Sequence, residues 1–260
     1  MNGKIKKPSK VWSLTEFSRA LVELGIFYPY KLLSRLPKSG DGHPVIFLPG
    51  FLATDKSTVP LRQFVYNLGY QVYGWGPGRN LADVSNLDLL IERIENLHVK
   101  YDQKVSIVGW SLGGVFARQI AKARPHLVRQ VITLGSPFKG ITKPNNAHWV
   151  HNLITKGKGT DGICPDLLAD IPMPAPVPTT AIYSKEDGIV PWQLCMEQIE
   201  TAIHQNIQVR GSHLGMGVNP SILWIIADRL QYDDDNWTHF KPDGNLQELL
   251  FYPSFKQEAI

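Results

Sequence analysis

Residues 105–114 read VSIVGWSLGG, a β-branched run that breaks at Gly109-Trp110-Ser111-Leu112-Gly113 and continues into helix-forming residues. This pattern places a serine on a sharp turn between a strand and a helix. Glycines belong on both sides of it, because side chains there would collide with the neighbouring strand and helix. Ser111 is thereby expected to stand at the end of a sheet, in a strained backbone conformation.

Outward from this turn, strands and helices alternate from Val45 onward. Val45 to Leu48 is an apolar strand ending in Pro49-Gly50, and a helix follows from Val59 to Leu68 with Gly69 behind it. Gln71 to Trp75 reads as a second strand. Leu87, Leu90, Ile91, Ile94 and Leu97 mark an amphipathic helix behind a Ser85-x-x-Asp88 cap. After the serine strand and its helix come strands at Val128 to Leu134, Thr180 to Tyr183 and Ile207 to Val209, then a helix opened by Asn219 and Pro220 that runs through Leu230. Such alternation predicts an α/β domain with a mostly parallel central sheet and helices on both faces. Between residues 138 and 178 the alternation stops in a glycine- and proline-rich stretch, expected as a lid-like insertion or substrate wall.

The expected organisation is an N-terminal helical segment at 1–42, the α/β domain at 43–230 and a C-terminal tail at 231–260 to which no role is assigned. In the first segment Ser13 and Glu16 read as a capping box. Leu14, Phe17, Leu21 and Leu24 recur at helical spacing, and Gly25 is placed to end the helix. This apolar stripe is expected to pack on its own domain. The competing reading is a peripheral anchor on a membrane, with Lys4, Lys6, Lys7 and Lys10 at an anionic surface. Charges at Glu16, Arg19, Glu23 and Lys31 argue against a membrane span or a cleavable signal peptide, so a cytoplasmic, optionally membrane-associated protein is expected.

The formal charge of +4 is dispersed, which speaks against nucleic acid as a partner. Cys164 and Cys195 are too few for a structural zinc site; a disulfide between them and a reduced pair are both compatible with their positions. Gly74-Trp75-Gly76-Pro77-Gly78 lacks dinucleotide-loop spacing, and Gly157-Lys158-Gly159-Thr160 has a glycine where a phosphate loop needs a hydroxyl. Neither a cofactor nor a metal is expected.

A serine hydroxyl is a weak nucleophile at neutral pH, so Ser111 needs a base, and the base an orienting carboxylate. Asp187 follows one late strand, in SKEDG, and His213 follows the last, in GSHLG, in the chain order Ser, Asp, His. Glu186, Asp161, Asp166 and Asp170 are rivals for the acid; His148 and His151, in the insertion, are rivals for the base. The backbone N–H of Leu112, at a helix start, supplies one oxyanion donor. Phe51 supplies the other, with Leu52 as its alternative, because a turn's geometry is not legible in sequence. Leu52, Trp110 and Phe138 are expected to line the substrate pocket. For Trp110 a purely structural place under the turn is an equal alternative.

At these residues the chain resembles the α/β-hydrolase superfamily, and within it the lipase and esterase group with a Pro-Gly oxyanion loop. The similarity spans roughly residues 43–230 and rests on PVIFLPGF, VGWSLGGVFAR, ITLGSPF, SKEDGIVPW and GSHLGM. Membership implies a Ser111, Asp187 and His213 triad with Phe51 and Leu112 as oxyanion donors. Pro49 departs from the commoner pattern, in which a histidine precedes the oxyanion glycine. Two strands that often begin this fold are not evident before Val45, so a shortened sheet is expected. The implied activity is hydrolysis of small-molecule or lipid acyl esters. Acyl transfer or thioester cleavage uses the same triad, and a catalytically silent binding protein is the alternative from another class. A dehalogenase of the same fold would want an aspartate at position 111.

Overall fold

The computed structural model describes residues 5–33, 40–139, 165–242, 252, 253 and 255, with side chains from 28 to 33 left aside. Its centre is a six-stranded sheet in the order β2-β1-β3-β4-β5-β6. The strands are β1 (Pro44–Leu48), β2 (Gln71–Tyr73), β3 (Val105–Trp110), β4 (Val128–Leu134), β5 (Thr179–Ser184) and β6 (His204–Val209). Every neighbouring pair is parallel. β1 and β5 are buried at every residue and β4 at all but one, because both faces of a parallel sheet are covered.

One face carries α3 (Asn86–Tyr101) and α4 (Leu112–Ala123), whose Leu90, Ile94, Val115 and Ile120 pack on Ile46, Ile107, Val131 and Ala181. The other carries α2 (Val59–Asn67) and α6 (Pro220–Leu230), whose Phe64, Val65, Ile222 and Ile226 meet Val45, Phe47, Val108 and Ile182. The side-chain alternation of each strand therefore feeds two cores. Within the expected insertion, α5 (Pro165–Asp170) and Ile171, Ala175 and Val177 pack on the first of these cores; residues 140–164, including His148, His151, Asp161 and Cys164, lie outside the described residues.

Three expectations are corrected. The helix α1 (Lys10–Leu33) starts earlier than the Ser13 capping box implies and does not stop at Gly25. Its first turn is closed by Ser9, whose hydroxyl accepts from the N–H of Trp12, which frees Ser13 and Glu16 for other partners. Its apolar stripe also faces the wrong way for core packing: Leu14 is 86% exposed and Phe17 68%. Leu24 and Phe27 do join the core, and the inward face also carries the buried Glu16. Finally, Ser85 does not cap α3; its hydroxyl turns back to Asp83.

The C-terminal tail has a structural place. Phe240 exchanges two hydrogen bonds with the Gln205 side chain on β6, and its ring packs in the core with Tyr252. The buried Arg229 guanidinium lies against the rings of Tyr232, Trp237 and Phe240. These contacts fasten the start of the tail to the core beside β6.

Candidate active site

Ser111 has φ 53° and ψ −121°, a conformation that costs an L-residue about 1–3 kcal/mol. The surrounding glycines make the turn feasible. A Cβ on Gly109 would stand 2.3 Å from Gly114 Cα, one on Gly113 would stand 2.2 Å from the Leu48 oxygen, and one on Gly114 would stand 2.0 Å from Ser136 Oγ. Strand, turn and helix thus pack backbone to backbone. The Ser111 N–H donates to the Leu134 oxygen at 2.8 Å, tying the turn to the end of β4.

Asp187 follows β5 and His213 follows β6, and their side chains meet: Nδ1 of His213 lies 2.6 Å from Oδ2 of Asp187. The other carboxylate oxygen, Oδ1, accepts from the N–H groups of Ile189 at 2.8 Å and Val190 at 2.6 Å, so the acid is held at both oxygens. Glu186, its rival, instead accepts from Arg210 and from the Gly211 N–H, and Asp170 pairs with Lys122.

The imidazole sits against the end of β4, where a Cβ on Gly135 would come within 3.0 Å of Nδ1, one residue beyond the oxygen that receives the Ser111 N–H. Serine, histidine and aspartate thus converge at the C-terminal edge of the sheet, all three buried. Ser111 Oγ and His213 Nε2 have no hydrogen-bond partner among the described residues, so a bond between them is not closed. Serine–histidine bonds are often long without substrate. Burial of His213 pushes its pKa down, but the Asp187 charge, the hydrogen bond to it and the Glu16 charge outweigh this and leave it above the usual 6.5.

At the loop after β1, expected to supply an oxyanion donor, the alternatives separate. The Leu52 N–H is taken by the Asn80 oxygen at 2.7 Å, whereas the Phe51 N–H has no partner among the described residues. Leu112 is the first residue of α4, where backbone N–H groups lack intrahelical partners. The loop lies against the serine: a Cβ on Gly50 would stand 3.2 Å from that of Ser111.

The residues expected to line the pocket are placed differently from one another. Leu52 is half exposed, with φ +62°. Phe138 is buried in the core beneath the Arg118 guanidinium, 3.8 Å away, in a position that forms no open wall. Trp110 points to the opposite face of the sheet, where its indole N–H donates to the His213 oxygen at 3.2 Å. Its structural alternative is the one the geometry favours. An apolar cavity of about 40 Å³ adjoins Leu112 and is lined by Val84, Leu87, Val115, Phe116, Leu167 and Ile171.

Sequence reasoning missed three residues here. The buried Asn80 donates to the Pro49 oxygen at 2.9 Å and accepts from the Ala82 N–H at 3.1 Å, bracing the loop after β1. Glu16 and Glu23 reach from α1 to the loops of Asp187 and His213. For the two glutamates the signal in the sequence was their place among the apolar residues of an amphipathic helix. Cys195 is a buried free thiol, raised well above the usual thiol pKa by burial and by the Asp187 charge.

The parallel sheet with helices on both faces is the α/β-hydrolase fold, as found in lipases, esterases and thioesterases. Comparison with known families narrows this: the palmitoyl protein thioesterase profile matches residues 53–185, just over half of the 260-residue chain. The chain belongs to the palmitoyl protein thioesterase family. No curated protein matches it.

Among solved structures, Aspergillus fumigatus lipase B aligns with a TM-score of 0.61 at 18% identity, over 84% of this chain and 59% of that one. The present chain thus spans about three fifths of that lipase's length. A Paleococcus ferrophilus monoacylglycerol lipase aligns at TM-score 0.54 and 14% identity, over 73% and 96% of the two chains. The thioesterase domain from the curacin biosynthetic pathway aligns at TM-score 0.53 and 13% identity, over 73% and 91%. At these identities the likeness is one of fold.

Proposed function

We propose that this protein hydrolyses acyl esters through Ser111, His213 and Asp187. The observation that carries the reading is the 2.6 Å contact between His213 and Asp187 at the same sheet edge as a serine held at φ 53°. Ser111 Oγ attacks the acyl carbonyl carbon while Nε2 of His213 takes its proton. The oxyanion is received by the N–H groups of Phe51 and Leu112, and His213 returns the proton to the leaving group. Water then releases the acid from Ser111 by the same steps in reverse order of roles.

The apolar cavity beside Leu112 suits the first part of an apolar acyl chain. The family match favours a thioester as the bond cleaved, with oxygen esters as the alternative substrate class. Oxygen esters and thioesters of graded chain length, run with and without an alcohol acceptor, test the reading. Ser111→Ala should lower turnover by about three orders of magnitude or more and abolish labelling by a fluorophosphonate. Retained turnover in that variant would overturn the mechanism, and an unlabelled wild-type protein would favour a silent scaffold.

A membrane surface is the second element of the proposal. Val11, Leu14, Phe17, Leu21, Val22 and Ile26 are each at least half exposed along one side of α1, with Lys6, Lys7 and Lys10 at its start. No helix among the described residues is long and apolar enough to cross a bilayer. Such a helix suits an interfacial position on anionic lipid. Leu14→Ser with Phe17→Ser should weaken flotation with anionic vesicles while leaving turnover of a soluble ester intact; unchanged flotation would refute the contact.

A further inference from the structure

We infer that α1 is the positioning element of the site: the buried carboxylate of Glu16 ties the residue after the acid to the residue after the base, and Glu23 holds the base loop from its other side. The inference rests on the proposed roles of Asp187 and His213. Oε2 of Glu16 accepts from the Gly188 N–H at 2.9 Å and Oε1 from the Leu214 N–H at 2.8 Å. One rigid group thus spans two loops whose sequence separation is 26 residues. Ser13 Oγ donates to the Gly188 oxygen at 2.6 Å, so the peptide flanking Asp187 is gripped from two positions of the same helix. Glu23 accepts from the Ser212 N–H at 2.7 Å and from its hydroxyl at 3.2 Å.

The loops are cut to admit the helix. A Cβ on Gly188 would stand 2.3 Å from the Trp12 oxygen, and one on Gly215 would stand 1.6 Å from the Glu23 carboxylate. Arg19 pairs with Glu16 at 2.9 Å, supplying the counter-charge that a buried carboxylate needs. Burying a paired carboxylate is costly relative to apolar packing, and the adjacent side of α1 offers apolar residues that remain exposed. Holding the helix against the domain does not need these acids; holding two loops in register with each other does. In a site that works by orientation, a small shift of the base lowers turnover more than binding.

Glu16 also acts through its charge. The charged and titratable groups around the imidazole are Asp187, Glu16 with its partner Arg19, Glu23 on the adjacent Ser212, and Cys195 behind Asp187. Of these, Asp187 and Glu16 favour the imidazolium.

The test is Glu16→Gln in the full chain. A glutamine amide of the same shape can accept from only one of the two N–H groups and carries no charge. Turnover of an acyl ester should fall about 10- to 100-fold with KM within about threefold. The acid limb of kcat/KM and the His213 ring titration followed by NMR should both move to lower pH. Glu16→Asp, which keeps the charge at a shorter reach, should restore the His213 titration but only part of kcat. Wild-type kcat and wild-type His213 titration in a folded Glu16→Gln variant would overturn the inference.

Should Glu16→Gln not fold, Ser13→Ala and Glu23→Gln make the smaller lesions; wild-type kcat in both would equally overturn it. If the wild-type protein hydrolyses no ester and Ser111 resists fluorophosphonate, the proposed function fails. The ring titration of His213 then still decides whether Glu16 acts on the base.

Discussion

The indole N–H of Trp110 donates to the backbone oxygen of His213 at 3.2 Å, linking the residue before the serine to the histidine itself. The ring fills a gap made for it, since a Cβ on Gly217 would stand 2.9 Å from its edge. Trp110→Phe keeps most of the packing and loses the bond, worth about 0.5–1.5 kcal/mol. We expect kcat to fall about 3- to 10-fold with KM unchanged, measured on a soluble acyl ester. A rise in KM alone would place the ring in the substrate pocket instead.

Asn80 holds the loop after β1 at three points: its side-chain amide donates to the Pro49 oxygen, its N–H donates to the Ala53 oxygen, and its backbone oxygen accepts from the Leu52 N–H. Asn80→Ala leaves the Pro49 oxygen and the Ala82 N–H without their partners, at a cost of about 1–3 kcal/mol in unfolding free energy. If Phe51 supplies an oxyanion donor, kcat should fall about 100-fold in the same variant. Chemical denaturation and turnover, measured together, separate a loosened loop from a general loss of fold.

The proposed base must be neutral to take a proton, and its pKa lies above 6.5. The value of kcat/KM should therefore rise with pH through a pKa above 6.5, falling about tenfold per unit on the acid side. Asp187→Asn removes the strongest influence favouring the imidazolium, after which burial pulls the pKa down. The acid limb should move to lower pH while kcat drops by about four orders of magnitude. A pH–rate profile of each protein gives both values.

His43 is fully buried at the start of β1, with Nδ1 on Asp41 at 2.6 Å and Nε2 on Ser106 at 2.8 Å. Burial keeps its pKa below 6.5; the Asp41 contact opposes this and Arg129 reinforces it. Between the folded value and 6.5 the unfolded chain binds more protons. Stability thus rises with pH across that window and is lost as pH falls below 6.5. Denaturant midpoints from pH 7.5 to 5 should show this slope, and His43→Gln should flatten it.

Arg118 and Glu197 form an ion pair buried on both sides, and the Arg118 guanidinium also donates to the Met173 oxygen at 2.9 Å. Glu197→Ala strands a buried cation and should destabilise the protein by about 3–5 kcal/mol. Arg118→Met with Glu197→Leu should recover most of that loss, because two apolar groups replace two desolvated charges. An unfolding titration of the three proteins checks the ordering.

Much of this architecture was legible because local physics repeats itself. All six strands were recognised from short apolar runs bounded by turn residues, and the serine turn from glycines with no room for a Cβ. The sequence places Asp187 and His213 each just after a strand at one edge of the sheet, and the structure brings their side chains within 2.6 Å of each other. The direction of α1 was misread. Apolar residues at helical spacing usually face a core, and here Leu14, Phe17 and Leu21 face outward while Glu16 faces in. A period identifies a stripe but not the surface it meets. Phe138 was likewise misplaced, since apolar character does not distinguish a pocket wall from the core beside it.

The order of residues along the chain determined the alternation of strand and helix, the strained serine and the candidates for its partners, since each depends on neighbours a few positions away. The three-dimensional packing alone decided that the Leu52 N–H is taken by Asn80 while that of Phe51 has no partner among the described residues, which oxygen receives the Trp110 indole, and where the carboxylates of α1 come to rest. Hydrogen bonds and close contacts act over about 3 Å of space, irrespective of the chain between their partners. A glutamate at position 16 and an amide at position 214 carry no mark of each other until the sheet has brought their loops together.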